Sequence, residues 1–259
     1  MQYQNTMINT HKKGQVAIWV IISIAIVAIF ALILILRPVI TGNQQSEINP
    51  QPVISSCISD GVNEAVSLML PHGGFIYPNN SANYSGVEVA YTCENTGNYK
   101  PCINQHPRLF DEMESQISTY LNPVLEGCFS TIRSDAEKNG ATVYIGPMQL
   151  NTSIEDGYVL VDVSRNVSIT RNNQTSNYNI FSTRVKSPLY SLTRVAQEIT
   201  NQEANYCYFE YVGYMLLYPE YKISVTRLPD STKIYSITDS NTNKGMNIAI
   251  RGCVIPAGM

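Results

Sequence analysis

Histidines and carboxylates are the residues of this sequence that could perform acid–base chemistry. The chain has three histidines, His11, His72 and His106, and 20 Asp and Glu residues. A serine or cysteine nucleophile normally needs such a base, but His72 and His106 each precede turn-forming residues, which favours turn and cap roles. The sequence has no Gly-x-Ser-x-Gly, P-loop or His-Glu-x-x-His pattern. We therefore expect no hydrolase triad.

Paired carboxylates could instead serve a glycosidase if they faced each other across a cleft at a set separation. The candidates are Asp111, Glu112, Glu114, Asp162 and Glu210. Their positions in the sequence favour solvated surfaces over a shared cleft, so we predict no catalytic residue and a non-enzymatic protein.

One loop has the start of a calcium-binding pattern. Oxygen-bearing side chains alternate from Asp239 through Asn241 to Asn243. An EF-hand loop needs glycine at its sixth position and glutamate at its twelfth, whereas this loop has Lys244 and Ile250 there. A hairpin turn is the better interpretation, and we predict no metal and no other cofactor.

The cysteines point to disulfide chemistry. All six follow one long apolar segment, and an even number on one side of it favours three disulfides in an oxidising compartment. Zinc is the alternative, but the chain has no Cys-x-x-Cys pair and few histidines. We predict the pairs Cys93–Cys102, which flank a short loop, Cys57–Cys128, on two predicted helices, and the remaining Cys207–Cys253.

The apolar segment runs from Val16 to Leu36 and contains no charge. At about 1.5 Å per residue it would span roughly the 30 Å core of a bilayer. It is too long for a cleaved secretory signal. Lys12 and Lys13 precede it and Arg37 follows it, which favours a cytoplasmic N-terminus. We expect residues 16–36 to contact membrane lipid and the C-terminal part to be extracellular.

The composition of the C-terminal part agrees with an exported surface. Net charge is −3 for the whole chain, so no basic footprint for nucleic acid exists. Tyrosine is common, with 17 residues, which suits half-buried positions and also protein interfaces. Five Asn-x-Ser/Thr sequons are candidate glycosylation sites: Asn79, Asn83, Asn151, Asn166 and Asn173.

Hydrophobic periodicity predicts an α+β body. Three helices are expected, from Ile54 to Met69, from near Pro107 to about Arg133 with a kink or restart at Asn122-Pro123, and from Ser187 to about Ile199. Strands are expected at Val87–Cys93, in a meander of about four between Ala141 and Val185, and at Tyr221–Arg227, Lys233–Thr238 and Met246–Val254. The predicted organisation is a tail at 1–14, a transmembrane helix at 15–37, a stalk at 38–52 and the body at 53–259.

The N-terminus resembles the class III signal of archaeal prepilins. Lys13-Gly14-Gln15 runs straight into the apolar helix, and the resemblance implies cleavage between Gly14 and Gln15. Such signals commonly have glutamate at the fifth mature position, where this chain has Trp19. That departure favours a permanent anchor over assembly into a filament.

A second resemblance covers most of the chain. The motifs HGGFIYP, VEVAYTCEN, PRLFDEMESQISTYL, SPLYSLTRVAQEI and IYSITD follow the anchor in this order. The order is similar to that of membrane-anchored proteins of unknown function in nanoarchaeal and woesearchaeal-type archaea. It implies no activity for any residue.

These observations favour a single-pass surface protein whose disulfide-linked ectodomain contacts the envelope, another protein or a second copy of itself. A pilin-like filament subunit cleaved after Gly14 is the first alternative. An envelope hydrolase or a transport accessory protein is the second.

Overall fold

The computed structural model describes residues 12–40, 49–95, 97 and 99–253, with only the helical backbone given for 12–18 and 34–40. The chain forms two units, Met1–Ile48 and Asn49–Met259. In the first, helix α1 spans Lys12–Ile40 and therefore extends beyond both ends of the predicted 15–37 helix. Residues 1–11 of the predicted 1–14 tail, with His11, and most of the predicted stalk lie outside the described residues.

The side chains of residues 19–33 in α1 are exposed, Trp19 among them. No helix among the described residues combines the length and apolarity expected of a membrane span.

The second unit is the α+β body. Its helices are α2 (Gln51–Met69), α3 (Leu109–Lys138), α4 (Leu189–Tyr206) and α5 (Tyr211–Leu217), and a 3-10 turn, Leu70–His72, follows α2. Its strands are β1 (Ser81–Tyr84), β2 (Val87–Glu94), β3 (Ile103–Asn104), β4 (Thr142–Glu155), β5 (Tyr158–Arg171), β6 (Gln174–Lys186), β7 (Tyr221–Arg227), β8 (Lys233–Asp239) and β9 (Lys244–Arg251).

The strands form two sheets. One has six strands, in the order β1-β2-β9-β8-β7 with β3 also paired to β2. Its β2–β9 pair is parallel, and its other pairs are antiparallel. The other sheet is the antiparallel meander β4-β5-β6. The predicted α+β class is therefore confirmed.

Helices α2 and α3 pack against each other and carry much of the apolar core. The buried side chains recur at three- and four-residue intervals, as one helix face requires. They include Ile54, Ile58, Val62, Ala65, Val66 and Met69 in α2, and Leu109, Met113, Ile117, Leu121, Leu125, Phe129 and Ile132 in α3. The helices approach closely at Gly61, where an added Cβ would lie 2.6 Å from Cδ2 of Leu121.

Replacing Gly61 by alanine is expected to lower the free energy of unfolding by about 1 kcal/mol. Overpacking costs about 1–3 kcal/mol, and the higher helix propensity of alanine offsets about 1 kcal/mol of it. Gly127→Ala is the matched control, because a Cβ at Gly127 in α3 would have no atom within 4 Å, and it should stabilise the protein. Urea denaturation of both variants checks this, and a stabilised Gly61→Ala protein would contradict the close helix contact.

The elements differ from the predicted ones in three details. The restart at Asn122-Pro123 does not occur: α3 is one helix with Pro123 inside it. Proline removes a backbone hydrogen bond, but Leu121 and Leu125 on either side are fully buried, and this packing stabilises the continuous helix. The stalk cannot reach residue 52, because α2 begins at Gln51.

The meander has three long strands instead of about four. Its turns lie at Asp156-Gly157 and Asn172-Asn173. The pairing register of β4–β5 shifts between Ile145 and Met148, and such irregularities bend long strands without ending them.

A buried arginine joins the meander to α3 at this irregularity. Arg165 Nε donates to the carbonyl oxygen of Gly146 at 2.9 Å, and its Nη1 lies 2.9 Å from the Glu126 carboxylate. The guanidinium also stacks over the Phe129 ring, 4.6 Å from its centroid. Pairing and hydrogen bonding are what permit a charge to be buried, so Arg165 fixes the meander in register on the helix pair.

Candidate functional site

Three disulfides cross-link the body, and each joins two cysteines that were predicted to pair. The Cα atoms are 6.6 Å apart in Cys57–Cys128, 5.4 Å in Cys93–Cys102 and 5.7 Å in Cys207–Cys253. The first connects α2 to α3, the second closes the loop between β2 and β3, and the third connects the end of α4 to the segment after β9.

A buried ion pair lies beside the third disulfide. The Glu203 side chain in α4 is fully buried, and Lys233 Nζ in β8 lies 2.7 Å from each of its carboxylate oxygens. Lys233 also donates to the Cys207 carbonyl oxygen at 3.0 Å, and the Tyr235 hydroxyl donates to Glu203. Every polar group of this cluster has a partner, so it joins α4 to the six-stranded sheet and has a structural role.

The same cluster makes stability sensitive to alkaline pH. Burial, and next the hydrogen bond and charge of Glu203, raise the pKa of Tyr235 above its ordinary 10.0. Above pH 10 the unfolded chain releases this proton while the folded protein keeps it, so the contribution of Tyr235 to stability is present below pH 10 and is lost as pH rises.

Tyr235→Phe is expected to reduce stability by about 1–3 kcal/mol at pH 8, because the hydrogen bond to a carboxylate is lost. The difference from wild type should shrink between pH 10 and pH 11. Urea denaturation across this range tests the prediction, and two parallel stability profiles would show that Tyr235 does not titrate as argued.

A cleft at the start of α3, which we call the α3 cleft, places a histidine beside a carboxylate. It measures about 630 Å³ and lies where the N-terminal turns of α3 meet the segment after α2. His106 Nδ1 is 2.7 Å from Glu112 Oε2, and the imidazole packs on the Phe75 ring with centroids 4.4 Å apart. The backbone N–H of His106 donates to Asn104 Oδ1 at 2.9 Å. The imidazole is therefore oriented by Glu112 and Phe75, beyond the turn role predicted for this histidine.

The other charged and aromatic side chains of this cleft are paired or exposed at its rim. Arg108 pairs with Asp111, and Tyr77 is 78% exposed at the rim. Within the described residues no serine, threonine or cysteine side chain is hydrogen-bonded to His106. A histidine–carboxylate pair can hold or transfer a proton, but nucleophilic catalysis needs an activated nucleophile beside it.

Only two of the five candidate carboxylates line the same cleft. Asp111 and Glu112 line the α3 cleft. Glu114 accepts a hydrogen bond from the Ile154 backbone N–H at 2.8 Å and so connects α3 to β4. Asp162 pairs in register with the exposed Asn151 in the meander, and Glu210 accepts from the Gly213 N–H at the start of α5. Their roles are local.

The calcium-like loop is a hairpin turn between β8 and β9. Asp239 accepts from the Asn241 backbone N–H and from the Thr242 hydroxyl, both at 2.9 Å. Its oxygens are thus engaged by the loop itself, as in an Asx turn. No group of three or more His, Cys, Asp or Glu side chains suited to a metal occurs among the described residues.

The sequon asparagines are all exposed, as glycosylation would require. Two lie near the first strands of the body, and three lie in the meander. They are Asn79, Asn83, Asn151, Asn166 and Asn173.

An apolar and tyrosine-rich surface surrounds α5, which no sequence pattern predicted. None of the residues of this seven-residue helix is buried. Leu216 is 80% exposed and Leu217 77%. We call this the α5 surface, and it consists of Tyr206, Tyr208, Val212, Leu216, Leu217 and Tyr218. Large apolar side chains grouped on a surface mark interaction sites more often than isolated ones do.

A groove of about 700 Å³ adjoins the α5 surface, between α4, α5 and the β4–β5 turn. We call it the tyrosine groove. The ring centroids of Tyr214 and Tyr218 are 4.6 Å apart, and those of Tyr214 and Tyr221 are 6.5 Å apart. Burial, followed by neighbouring tyrosines, Glu198 and Glu220, raises the pKa of Tyr214 to about 12. The Tyr214 phenol therefore stays neutral well above physiological pH.

No protein-family model matches the chain, and neither the curated proteins nor the solved structures gave a match. The site must therefore be judged on its own geometry.

Proposed function

We propose that this chain is a single-pass, membrane-anchored surface protein whose ectodomain makes non-enzymatic contacts with another protein of the envelope. The exposure of the α5 surface carries the proposal. Three disulfides support an extracellular location for the body, since such bonds persist in oxidising compartments. The apolar sequence of α1 supports the anchor, and the basic residues before it support a cytoplasmic N-terminus.

The composition of the α5 surface suits protein contact. Tyrosine is enriched at interfaces because it combines a large apolar ring with a polar end. Three tyrosines surround the exposed leucines of this surface. Because the helix is short and has no buried residue, its apolar side chains gain little from the fold of the body. Burial against a partner would remove them from water.

The proposal is tested by the size of the assembly that the full chain forms in mild detergent. Leu216→Ser/Leu217→Ser should release the partner, or a second copy, and reduce the native mass. Ile180→Ser is the matched control, because Ile180 is also an exposed aliphatic residue, at 64%, but lies on β6. An unchanged native mass in the double variant would refute the role of the α5 surface.

The pilin-like alternative is favoured by one observation, the Lys13-Gly14-Gln15 sequence within the first turn of α1. In that case the helix is a temporary membrane anchor and later a filament core. It predicts a mature chain that starts at Gln15 and occurs in sheared filaments. The intact mass of protein from membrane and filament fractions decides between the two, and the same mass reports disulfides and glycans.

A further inference from the structure

The walls of the tyrosine groove combine aromatic rings with acidic groups, of which Glu198 also accepts a hydrogen bond from Gln202 Nε2 at 2.6 Å. Its aromatic residues are Tyr190, Tyr214, Tyr218 and Tyr221, and its charged residues are Asp156, Glu198, Glu220 and Arg194. Three negative charges against one positive charge leave a net −2. None of the four forms a salt bridge within the part of the chain that the structure describes.

The rings are held in place by the body. Tyr190 packs against Phe110 of α3 with ring centroids 5.4 Å apart. Tyr214 packs against the buried Phe209, 5.3 Å between centroids. A groove whose walls are already ordered loses little entropy when it binds a ligand.

We propose that the tyrosine groove receives a lysine or arginine side chain from an exposed segment of the partner protein. Cations are attracted to the faces of aromatic rings, and the carboxylates add Coulomb attraction. The exposed Leu217 lines the groove and also belongs to the α5 surface. The segment therefore carries an apolar residue next to its basic one. This inference rests on the proposed function and adds the chemistry of the partner.

An anionic partner or a neutral one is disfavoured by the same charges. Among the described residues, Arg194 is the only basic group that lines the groove, and it is outnumbered by carboxylates. A membrane surface rich in anionic lipid would be repelled for the same reason. The basic side chain is the one protein group that complements both the rings and the charge.

The test uses the full chain in nanodiscs of neutral lipid and two tripeptide probes, acetyl-Leu-Lys-Leu-amide and acetyl-Leu-Gln-Leu-amide. Saturation-transfer NMR should show the lysine side chain in contact with the protein, and titration should show weaker binding of the glutamine peptide. Binding of the lysine peptide should weaken as salt is raised from 50 mM to 500 mM. Equal binding of both peptides, or no binding of the lysine peptide, overturns the inference.

Variants locate the binding in the groove. Glu198→Gln/Glu220→Gln should weaken binding of the lysine peptide about fivefold. Tyr218→Ser should weaken the same binding about threefold. Asp60→Asn/Glu137→Gln makes the same change in net charge at exposed positions elsewhere and should leave binding unchanged. Equal effects of the two double variants would refute a local site.

Failure of the inference about the tyrosine groove and failure of the proposed function give different experimental results. If the peptides do not discriminate but Leu216→Ser/Leu217→Ser still disrupts the native assembly, only the inference about the groove is wrong. If the lysine peptide binds but that variant leaves the assembly intact, the groove is retained and the contact function of the α5 surface is wrong.

Discussion

Replacing Glu203 by alanine is expected to lower the free energy of unfolding by about 3–5 kcal/mol, which is the usual penalty for removing one partner of a buried ion pair. Glu203 is fully buried, and the Lys233 side chain is only 13% exposed. Without the carboxylate, the ammonium group of Lys233 keeps only the Cys207 carbonyl as its partner within the described residues. Urea denaturation of the body, residues 49–259, measures the loss.

Two further variants make this prediction specific. Glu198→Ala changes an exposed carboxylate on the same helix and should alter stability by less than about 0.5 kcal/mol. Glu203→Leu/Lys233→Met removes both charges and should recover part of the loss, because no buried charge is left unpaired. If Glu203→Ala were as harmless as Glu198→Ala, the cluster would not be the buried connection between α4 and the sheet that the distances indicate.

Removal of the Cys57–Cys128 disulfide is expected to have the second large effect. The Cys57→Ser/Cys128→Ser variant should lower the free energy of unfolding by about 4 kcal/mol. The two cysteines are 71 residues apart in sequence, and in the chain-entropy model a cross-link restricts the unfolded chain more when its loop is longer. The Cys93–Cys102 bond spans 9 residues, so Cys93→Ser/Cys102→Ser should cost about 3 kcal/mol by the same relation.

The informative result is which of the two serine double variants loses more stability. Thermal and urea denaturation of both serine pairs should rank the α2–α3 bond as the more stabilising. The reverse order would mean that native packing around Cys93, which is fully buried, outweighs the loop entropy. In that case the α2–α3 contact would be held mainly by its apolar side chains.

The local periodicity of the sequence predicted much of the body. Ile54, Ile58 and Val62 recur on one helix face, and this face packs on α3 as the spacing requires. The alternation of Val161, Val163 and Val167 likewise predicted a strand with one buried face. The cysteine pairs followed from the short loop between Cys93 and Cys102, from the helices predicted to carry Cys57 and Cys128, and by elimination for Cys207–Cys253.

The candidate surfaces could not be predicted from the sequence, because they depend on contacts between residues that are distant in sequence. Nothing in the sequence around Leu216 and Leu217 distinguishes an exposed helix from a buried one, since an apolar run of this length suits both. The tyrosine groove similarly needs α4, α5 and the β4–β5 turn to meet. Only the His106–Glu112 pair had a local signal, a histidine six residues before a first-turn glutamate of α3.

Short strands β1 and β3 were missed for a related reason. Ser81–Tyr84 and Ile103–Asn104 contain few apolar residues, so neither has a clear alternation. They form because β2 offers both of them backbone hydrogen bonds. Pairing partners of this kind lie outside any local window of sequence.

The central claim, contact through the α5 surface, is tested most directly by site-specific photo-crosslinking of the full chain in its native membrane. A photoreactive amino acid is placed at Leu216 and, as control, at Tyr144, which is 63% exposed on β4. We predict a discrete crosslinked product from position 216 and none of the same mass from position 144. No product from position 216, or the same product from both positions, would contradict the account.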